Sequence, residues 1–292
     1  MASATKARRP WLNQAWFAAI GANWLVIAIA IAVAWRWNHF LVYAPAIFVI
    51  GTRQHALAVL GHDGTHYHVS RVKRLNDVLT NLFVAWPLAF SSSGYRRWHL
   101  EHHRTVGTDA DPELMMYRMF GKKWSPDASS RKLFLTDLIG LGSVELLVLW
   151  YDLMKWRPAA PAWRRIEETL GLVLWPFVAA GSVAWLWGWR ACAVITLLWY
   201  GSLFTSFFAA YRLRCYSEHV GSEWTHRLGQ PPLWQRLVYL PANTWLHWEH
   251  HKWPGVPLRQ FKVLAPELEE ADRARARAAD ANSHPDAAVG LA

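Results

Sequence analysis

Histidines recur in three tight clusters along this 292-residue chain, at spacings that a metal centre could use. In an α-helix, residues at i, i+3 and i+4 lie on one face, so each cluster could present its imidazoles in one direction. The eight histidines are His62 and His66, then His99, His102 and His103, then His247, His250 and His251. Eight ring nitrogens could enclose two metal ions. Imidazole suits Fe, Zn, Cu or Ni, so the ligand type alone leaves the metal open.

Acidic residues adjoin the clusters and could orient the ligands. A metal-bound histidine usually donates its second N–H to a carboxylate or a carbonyl. The neighbouring acids are Asp63, Glu101, Glu249 and Glu218, the last of which directly precedes a separate histidine, His219. Glu101 and Glu249 would point away from the face of their own cluster, so each would have to serve a neighbouring helix.

The composition predicts a membrane enzyme. Of the residues, 53% are hydrophobic, only 18% are charged and 21 are Trp, which is more apolar and more aromatic than an average soluble domain. The two cysteines, Cys192 and Cys215, form no CxxC pattern, which argues against iron–sulfur and zinc-finger roles. Basic residues are not gathered into an arm or recognition helix, so no nucleic-acid partner is expected.

Apolar stretches predict an all-α integral membrane protein with about four transmembrane helices in two hairpins. The predicted spans are residues 16–35, 40–60, 169–189 and 191–211, each near the ~20 residues that cross a bilayer. Arg53 lies two-thirds of the way along the second span, so its last turns should leave the hydrocarbon. Residues 78–93 and 133–150 are short or carry charges and are expected to be interfacial or re-entrant. Trp16 and Trp35, at span ends, are expected to anchor at the interface.

With four spans, all the histidine clusters fall on one side of the bilayer. Residues 1–15, 61–168 and 212–292 share that side and hold 28 of the 31 Lys and Arg residues. The positive-inside rule then places it in the cytoplasm. We therefore expect a cytoplasmic histidine-rich cap on a cell (inner) membrane protein, with both termini and the active site cytoplasmic.

The clusters resemble the histidine boxes of the integral-membrane fatty acid desaturase superfamily. His62-Asp63-Gly64-Thr65-His66 is similar to the first box, HxxxH, and the other two clusters are similar to the HxxHH boxes. Thr108-Asp109-Ala110-Asp111-Pro112 is similar to the acidic stretch after the second box, and Trp253-Pro254-Gly255-Val256-Pro257 to the proline-rich exit of the third. The segment ending in His219 is similar to the one that many members place before the third box. The resemblance runs from about residue 55 to residue 264.

This resemblance implies a di-iron enzyme that uses O₂ and two delivered electrons to abstract hydrogen from a lipid chain. Nine iron ligands are implied, namely His62, His66, His99, His102, His103, His219, His247, His250 and His251. Asp63, Asp109, Asp111 and Glu218 are candidates for orienting those ligands, and Asp109 or Asp111 could instead cap a helix. Breaking a methylene C–H bond needs a redox metal, because protein side chains supply no such oxidant.

The partners implied are a lipid or acyl-chain substrate and a separate electron donor. The sequence holds no haem-binding His-Pro-Gly-Gly and no ferredoxin cysteine set, so a ferredoxin or a cytochrome b5 with its reductase is expected. Arg96, Arg97, Lys122 and Lys123 could dock a lipid head group, an acidic acyl carrier or the donor, although positive-inside bias accounts for them equally well. Residues 1–265 are expected to form the desaturase-like domain and residues 266–292 a charged C-terminal helix and tail.

Three functions remain open at this stage. The first is an acyl-lipid or acyl-thioester desaturase. The second keeps the iron and inserts oxygen, as a hydroxylase or ketolase of a fatty chain, alkane or carotenoid. The third is a zinc-dependent membrane hydrolase or a non-catalytic lipid-binding protein, although catalytic zinc sites usually need only three protein ligands.

Overall fold

The computed structural model describes residues 11–114, 118, 125–155, 162–258 and 260–283, and every regular element in those residues is helical. The main helices are α1 (Gln14–Trp37), α2 (Phe40–Thr65), α3 (Lys73–Thr80), α4 (Ser92–Thr105), α5 (Ser130–Leu138), α6 (Ser143–Lys155), α7 (Ala162–Ser202), α8 (Phe208–His219), α9 (Leu233–Val238), α10 (His247–Lys252) and α11 (Phe261–Ser283). Two π-helical turns, Asn81–Ala85 and Leu203–Phe207, and a 3₁₀ turn, Pro241–Leu246, connect some of them. The all-α prediction is confirmed for this part of the chain.

Two stretches of the described residues are long and apolar enough to cross a membrane, namely α1 and the helical run Arg165–His219. α1 begins behind Asn13, whose side chain accepts a hydrogen bond from Trp16 N, and ends at Asn38 in the left-handed conformation. The run that contains α7 and α8 is interrupted at Gly188, which has φ 82° and ψ 166°, a conformation that glycine adopts readily. This break lies at the predicted boundary between residues 169–189 and 191–211. The full count of four spans in two hairpins stays a prediction.

α2 is the central helix of the protein and packs against α1, α7 and the Leu203–Phe207 turn. Its C-terminal half is almost wholly buried. Gly51 permits the close approach to the π-helical turn, since a Cβ there would lie 2.6 Å from the backbone nitrogen of Phe207. Ser206 donates from its hydroxyl to the Ile47 carbonyl at 2.7 Å across the same contact. The first histidine cluster is thus carried on the buried half of α2.

Trp16 is part of this packing, and its predicted role as an interfacial anchor is wrong. The side chain is 0% exposed, and its Nε1–H donates to the Leu60 carbonyl at 2.8 Å. The reason is that the start of α1 lies against the buried end of α2. Trp35, at the other end of α1, is 40% exposed, as an interfacial residue would be.

α5 and α6 form a bent pair at an angle of 91°, within the region predicted to be interfacial or re-entrant. Arg212 on α8 contacts both arms of the pair. Its Nε lies 2.7 Å from Asp137 Oδ2 and its Nη2 lies 2.5 Å from Glu145 Oε2, with all three side chains buried. α6 in turn contacts α4, which carries the second histidine cluster.

The C-terminal region continues as one helix across the boundary expected near residue 265. α11 runs from Phe261 to Ser283. Lys252 pairs with Asp272 at 3.0 Å, which ties α11 to the end of α10. The division into residues 1–265 and 266–292 stays a prediction.

Candidate metal centre

The first histidine pair lies at the C-terminal end of α2, where a buried arginine fixes the helix. His62 is in the last turn and His66 is the C-cap residue. Arg96 donates to the carbonyls of the last two residues of α2 at 2.9 Å each, and also pairs with Asp77 at 2.6 Å. A cation at this end satisfies carbonyls that have no partner within the helix. Arg96 thereby holds the backbone that carries both histidines.

Of the four basic residues predicted as candidates for docking a head group, a carrier or the electron donor, Arg96 instead holds the end of α2. Arg96 is buried, so it does not present its charge to a head group or a carrier. Arg97, on the opposite face of α4, is exposed and retains that potential. Lys122 and Lys123 lie outside the described residues.

The second cluster lies on the inner face of α4. The helix begins behind Ser91, whose hydroxyl accepts a hydrogen bond from Gly94 N at 3.0 Å. His99 and His102 are 3% and 1% exposed and His103 is half-buried, whereas Leu100 between them is 45% exposed. The spacing of one helical turn therefore places all three imidazoles on the buried side, as the sequence predicted.

The third cluster and His219 enter from two further directions. α10 contains six residues, and the turn before it holds Ala242 and Asn243 in the left-handed region, at φ 51° and 67°. Non-glycine residues adopt this region only where the surroundings hold them, so the turn fixes the approach of α10. His219 is the last residue of α8. Four separate helix segments thus converge on one site.

Five histidines form the first group of converging ring nitrogens. They are His62, His66, His99, His103 and His250, which offer ligand atoms within 4.8 Å of one another. Nε2 of His99 lies 3.1 Å from Nε2 of His66 and 2.9 Å from Nε2 of His103. Nε2 of His103 lies 3.0 Å from Nε2 of His250. All three histidine boxes therefore contribute to this group.

Four histidines form the second group, which His219 completes. They are His102, His219, His247 and His251. Nε2 of His247 lies 2.9 Å from Nε2 of His219 and 3.0 Å from Nε2 of His251, and Nε2 of His102 lies 3.3 Å from Nε2 of His251. The nine histidines named from the sequence are thus brought together, divided into five and four. The sequence alone did not predict this division.

Burial lowers the pKa of most of these imidazoles, and the neighbouring imidazoles lower it further. The imidazoles affected in this way are His62, His66, His99, His247, His250 and His251. For His103 the same causes lower the pKa to about 3. His102 is the exception, because Glu113 and Asp111 together outweigh burial and raise its pKa. Neutral imidazoles keep the lone pair that a metal ion needs.

Unpartnered ring nitrogens provide a test of whether these residues suit metal ions. His62 is 3% exposed, and within the described residues neither of its ring nitrogens has a hydrogen-bond partner. A buried polar atom left unpaired costs about 1–3 kcal/mol, a cost that coordination through one nitrogen of His62 would remove for that atom. Neutral imidazoles whose lone pairs converge therefore fit a pair of transition-metal ions.

Buried carboxylates adjoin the four-histidine group. Nδ1–H of His102 donates to Asp111 Oδ1 at 2.9 Å, which leaves Nε2 as the lone-pair atom. Glu113 Oε2 lies 3.3 Å from Nε2 of His102. Glu218 Oε2 lies 3.8 Å from Nε2 of His247. Sequence reasoning named Asp111 and Glu218 but missed Glu113, whose available signal was its position directly after Pro112 in the acidic stretch.

Two other acids that the sequence suggested lie apart from the nine histidines. Asp63 is buried, but its Oδ1 is 3.8 Å from Nδ1 of His68, which belongs to neither group. Asp109 has a 90% exposed side chain and pairs with Arg118 at 2.7 Å. Asp109 therefore faces solvent, and the structure does not bring it to the histidines. Asp111, two positions later, is the acid of this stretch that contacts His102.

The remaining polar neighbours of the boxes have partners of their own. Glu101 pairs with Arg104 on the outer face of α4, as its helical position implied. Glu249 is buried and accepts a hydrogen bond from Arg227 at 2.8 Å, which steadies α10. His55 faces the Tyr239 backbone carbonyl through Nε2 at 3.1 Å and lines an apolar cavity.

An apolar cavity opens against both histidine groups. Its lining is mostly apolar with a few polar side chains, as is usual for sites that bind small apolar molecules. His62 and His99 of the first group and His247 of the second reach its wall. Apolar side chains from α6, the Leu203–Phe207 turn and α8 also line it, including Leu146, Leu149, Trp150, Phe207 and Tyr211. An apolar molecule in this cavity would lie beside both groups.

Together these features define a helical membrane protein with two histidine groups that could hold metal ions beside an apolar pocket. Residues 38–279 match the fatty acid desaturase family, and the chain belongs to that family. It is therefore an oxidoreductase, with a membrane desaturase or hydroxylase kind of function. The match covers all nine histidines.

Curated relatives share the family but are distant in sequence. The chain is 26% identical over 270 residues to the sphingolipid delta(4)-desaturase/C4-monooxygenase DES2 of Bos taurus, covering 88% of this chain and 75% of that protein. It is 28% identical over 257 residues to the Homo sapiens protein of the same name, covering 84% and 70%. It is 25% identical over 234 residues to the dihydrorhizobitoxine desaturase of Bradyrhizobium elkanii, covering 74% of this chain and 64% of that protein.

Proposed function

We propose that this protein is an O₂-dependent di-iron oxidoreductase that desaturates a fatty acyl chain, carried as an acyl lipid or an acyl thioester. The observation that carries the proposal is the pair of histidine groups, five and four, at the wall of one apolar cavity. A single metal would not need nine imidazoles. The cavity would place a methylene segment next to both metal positions.

The reaction balances with one O₂ and two electrons. Desaturation removes two hydrogens from adjacent carbons, and with two further protons and two electrons the O₂ becomes two waters. An iron pair, when bound, supplies an oxidant strong enough to break an aliphatic C–H bond, which no side chain here provides. The electrons come from a separate donor, which we propose to be a ferredoxin or a cytochrome b5 with its reductase.

The chain's own residues then bind, orient and shield the substrate. Leu146, Leu149 and Trp150 form an apolar wall that excludes water from the reacting carbons. His62 and His247 come from different groups and reach the same cavity, so both proposed irons would face the substrate. Lipid entry from the bilayer fits a membrane protein, and we propose a cell-membrane location with the cap and both termini cytoplasmic.

Hydroxylation is the second candidate function, supported by a specific comparison. Two of the relatives are named as both a desaturase and a C4-monooxygenase. Hydroxylation also begins by hydrogen abstraction, but one oxygen atom is retained in the product and one water is released. The histidine boxes are compatible with both outcomes.

The test is product analysis with the detergent-purified protein, a reductase system, O₂ and a panel of acyl lipids and acyl thioesters. Loss of two hydrogens from the substrate supports desaturation, and gain of one oxygen supports hydroxylation.

His102→Ala and His250→Ala remove one ligand from each group and should abolish turnover. His226→Ala is the matched control, because His226 bonds the Val220 carbonyl at 2.9 Å and belongs to neither group. An active His102→Ala or His250→Ala variant would contradict the proposal.

A further inference from the structure

We infer that Glu113 is a carboxylate ligand of the metal in the four-histidine group, an assignment that rests on the proposed di-iron function. The two metal positions would then differ chemically. One would be bound by imidazoles alone, and the other by four imidazoles and a carboxylate.

The nine histidines divide unequally between the two groups. The first group has five converging imidazoles and the second has four. Glu113 lies at the second group, with Oε2 3.3 Å from Nε2 of His102 and 3.8 Å from Nε2 of His219. The residue is 5% exposed, and it also lines the cavity. The carboxylate thus contacts the group that has fewer imidazoles and also reaches the cavity.

The hydrogen bond from His102 to Asp111 determines which ring nitrogen of His102 is available to a metal ion. Nδ1–H of His102 already donates to Asp111, so in a neutral ring Nε2 carries a lone pair. That lone pair faces the lone pairs of the Glu113 carboxylate at 3.3 Å. An imidazole nitrogen and a carboxylate oxygen this close, beside three further imidazoles, form a mixed N/O donor set of the kind that binds non-haem iron. Both atoms could therefore bind the same metal ion.

The backbone holds Glu113 in place for this role. Asp111 Oδ1, which accepts from His102, also accepts from the backbone N–H of Glu113 at 2.9 Å. One carboxylate oxygen therefore fixes the position of an imidazole and of the main chain that carries the second acid. Pro112 stands between the two acids and restricts the backbone at the start of this helical turn. Carboxylate oxygen is an established ligand of non-haem iron, alone or mixed with imidazole.

The experiment is iron analysis with Mössbauer spectroscopy on ⁵⁷Fe-loaded wild type, Glu113→Gln and the control Glu101→Gln. Glu101 lies on α4 and pairs with Arg104 on the outer face, away from both groups. Wild type should contain two irons per chain with two distinguishable signals of equal area. In Glu113→Gln one signal should change or disappear, with iron falling to roughly one per chain if binding is lost. The Glu101→Gln spectrum should match wild type.

Glu113→Asp provides a second test that keeps the negative charge. It should shift the same single signal while retaining more iron than Glu113→Gln, because a shorter carboxylate still binds but at altered geometry. Two irons and two unchanged signals in both variants would overturn the assignment and leave the proposed function standing. A wild-type protein that binds no iron would overturn the proposed function and this inference with it.

Discussion

Asp111 offers a sharp test of how the protein holds its ligands. Its Oδ1 accepts from His102 and from the backbone of Glu113 at 2.9 Å each, and its Oδ2 accepts from Gly107 N at 3.3 Å. Hydrogen bonds to a charged group are each worth about 1.5–3 kcal/mol, roughly twice the neutral value. Asp111→Asn keeps the shape but removes the charge. The bond to His102 alone should then lose about 1–1.5 kcal/mol, close to tenfold in affinity.

The expected result is a 10-fold to about 100-fold weaker hold on one metal per chain, the range typical for residues that orient a ligand. The assay is chelator competition, in which iron is removed from purified protein by increasing concentrations of a chelator and counted per chain. Asp109→Asn is the matched control, since Asp109 lies two residues away and its side chain is exposed. Equal iron retention in wild type, Asp111→Asn and Asp109→Asn would refute the reasoning.

Two further predictions concern the cavity and the bent helix pair. Leu149→Trp fills the cavity from α6 and should cut turnover on long-chain substrates by about tenfold or more, because the chain is misplaced. Its iron content should not change. Leu147→Trp, at a position 51% exposed on the same helix, should behave as wild type in product assays. Arg212→Met leaves two buried acids without their cation and should destabilise the protein by about 3–5 kcal/mol, seen as a lower midpoint in thermal aggregation of detergent-purified protein. Arg190→Met, at an exposed position, is its control, and an equal midpoint in the two variants would contradict the structural role.

The residues that carry the chemistry could be predicted because their spacing follows helical geometry. One turn of a helix separates the ligands in each box, so His99, His102 and His103 had to share a face whatever the rest of the fold. Convergence of the boxes followed from placing them on one side of the bilayer. His219 was predictable only through the family resemblance, since a lone histidine has no periodic signal.

Other features depend on contacts between distant parts of the chain, which a sequence pattern does not contain. The division of nine histidines into five and four arises from the angles between α2, α4, α8 and α10. Glu113 was missed because nothing in the sequence shows that the turn carrying it faces the histidines. Asp111 fixes that turn by accepting hydrogen bonds from His102 and from the backbone of Glu113. Trp16 was misplaced at the interface because its burial depends on the docking of α1 against α2. Arg96 was considered for docking because its charge is visible in the sequence, whereas its partners at the end of α2 are not.

The most direct test of the central claim is the metal content of the detergent-purified protein expressed in iron-replete cells. Elemental analysis with Mössbauer spectroscopy on ⁵⁷Fe-enriched protein should find close to two irons per chain in a coupled pair. Zinc without iron under those conditions, or a single iron per chain, would contradict the account of two metal positions held by five and four histidines.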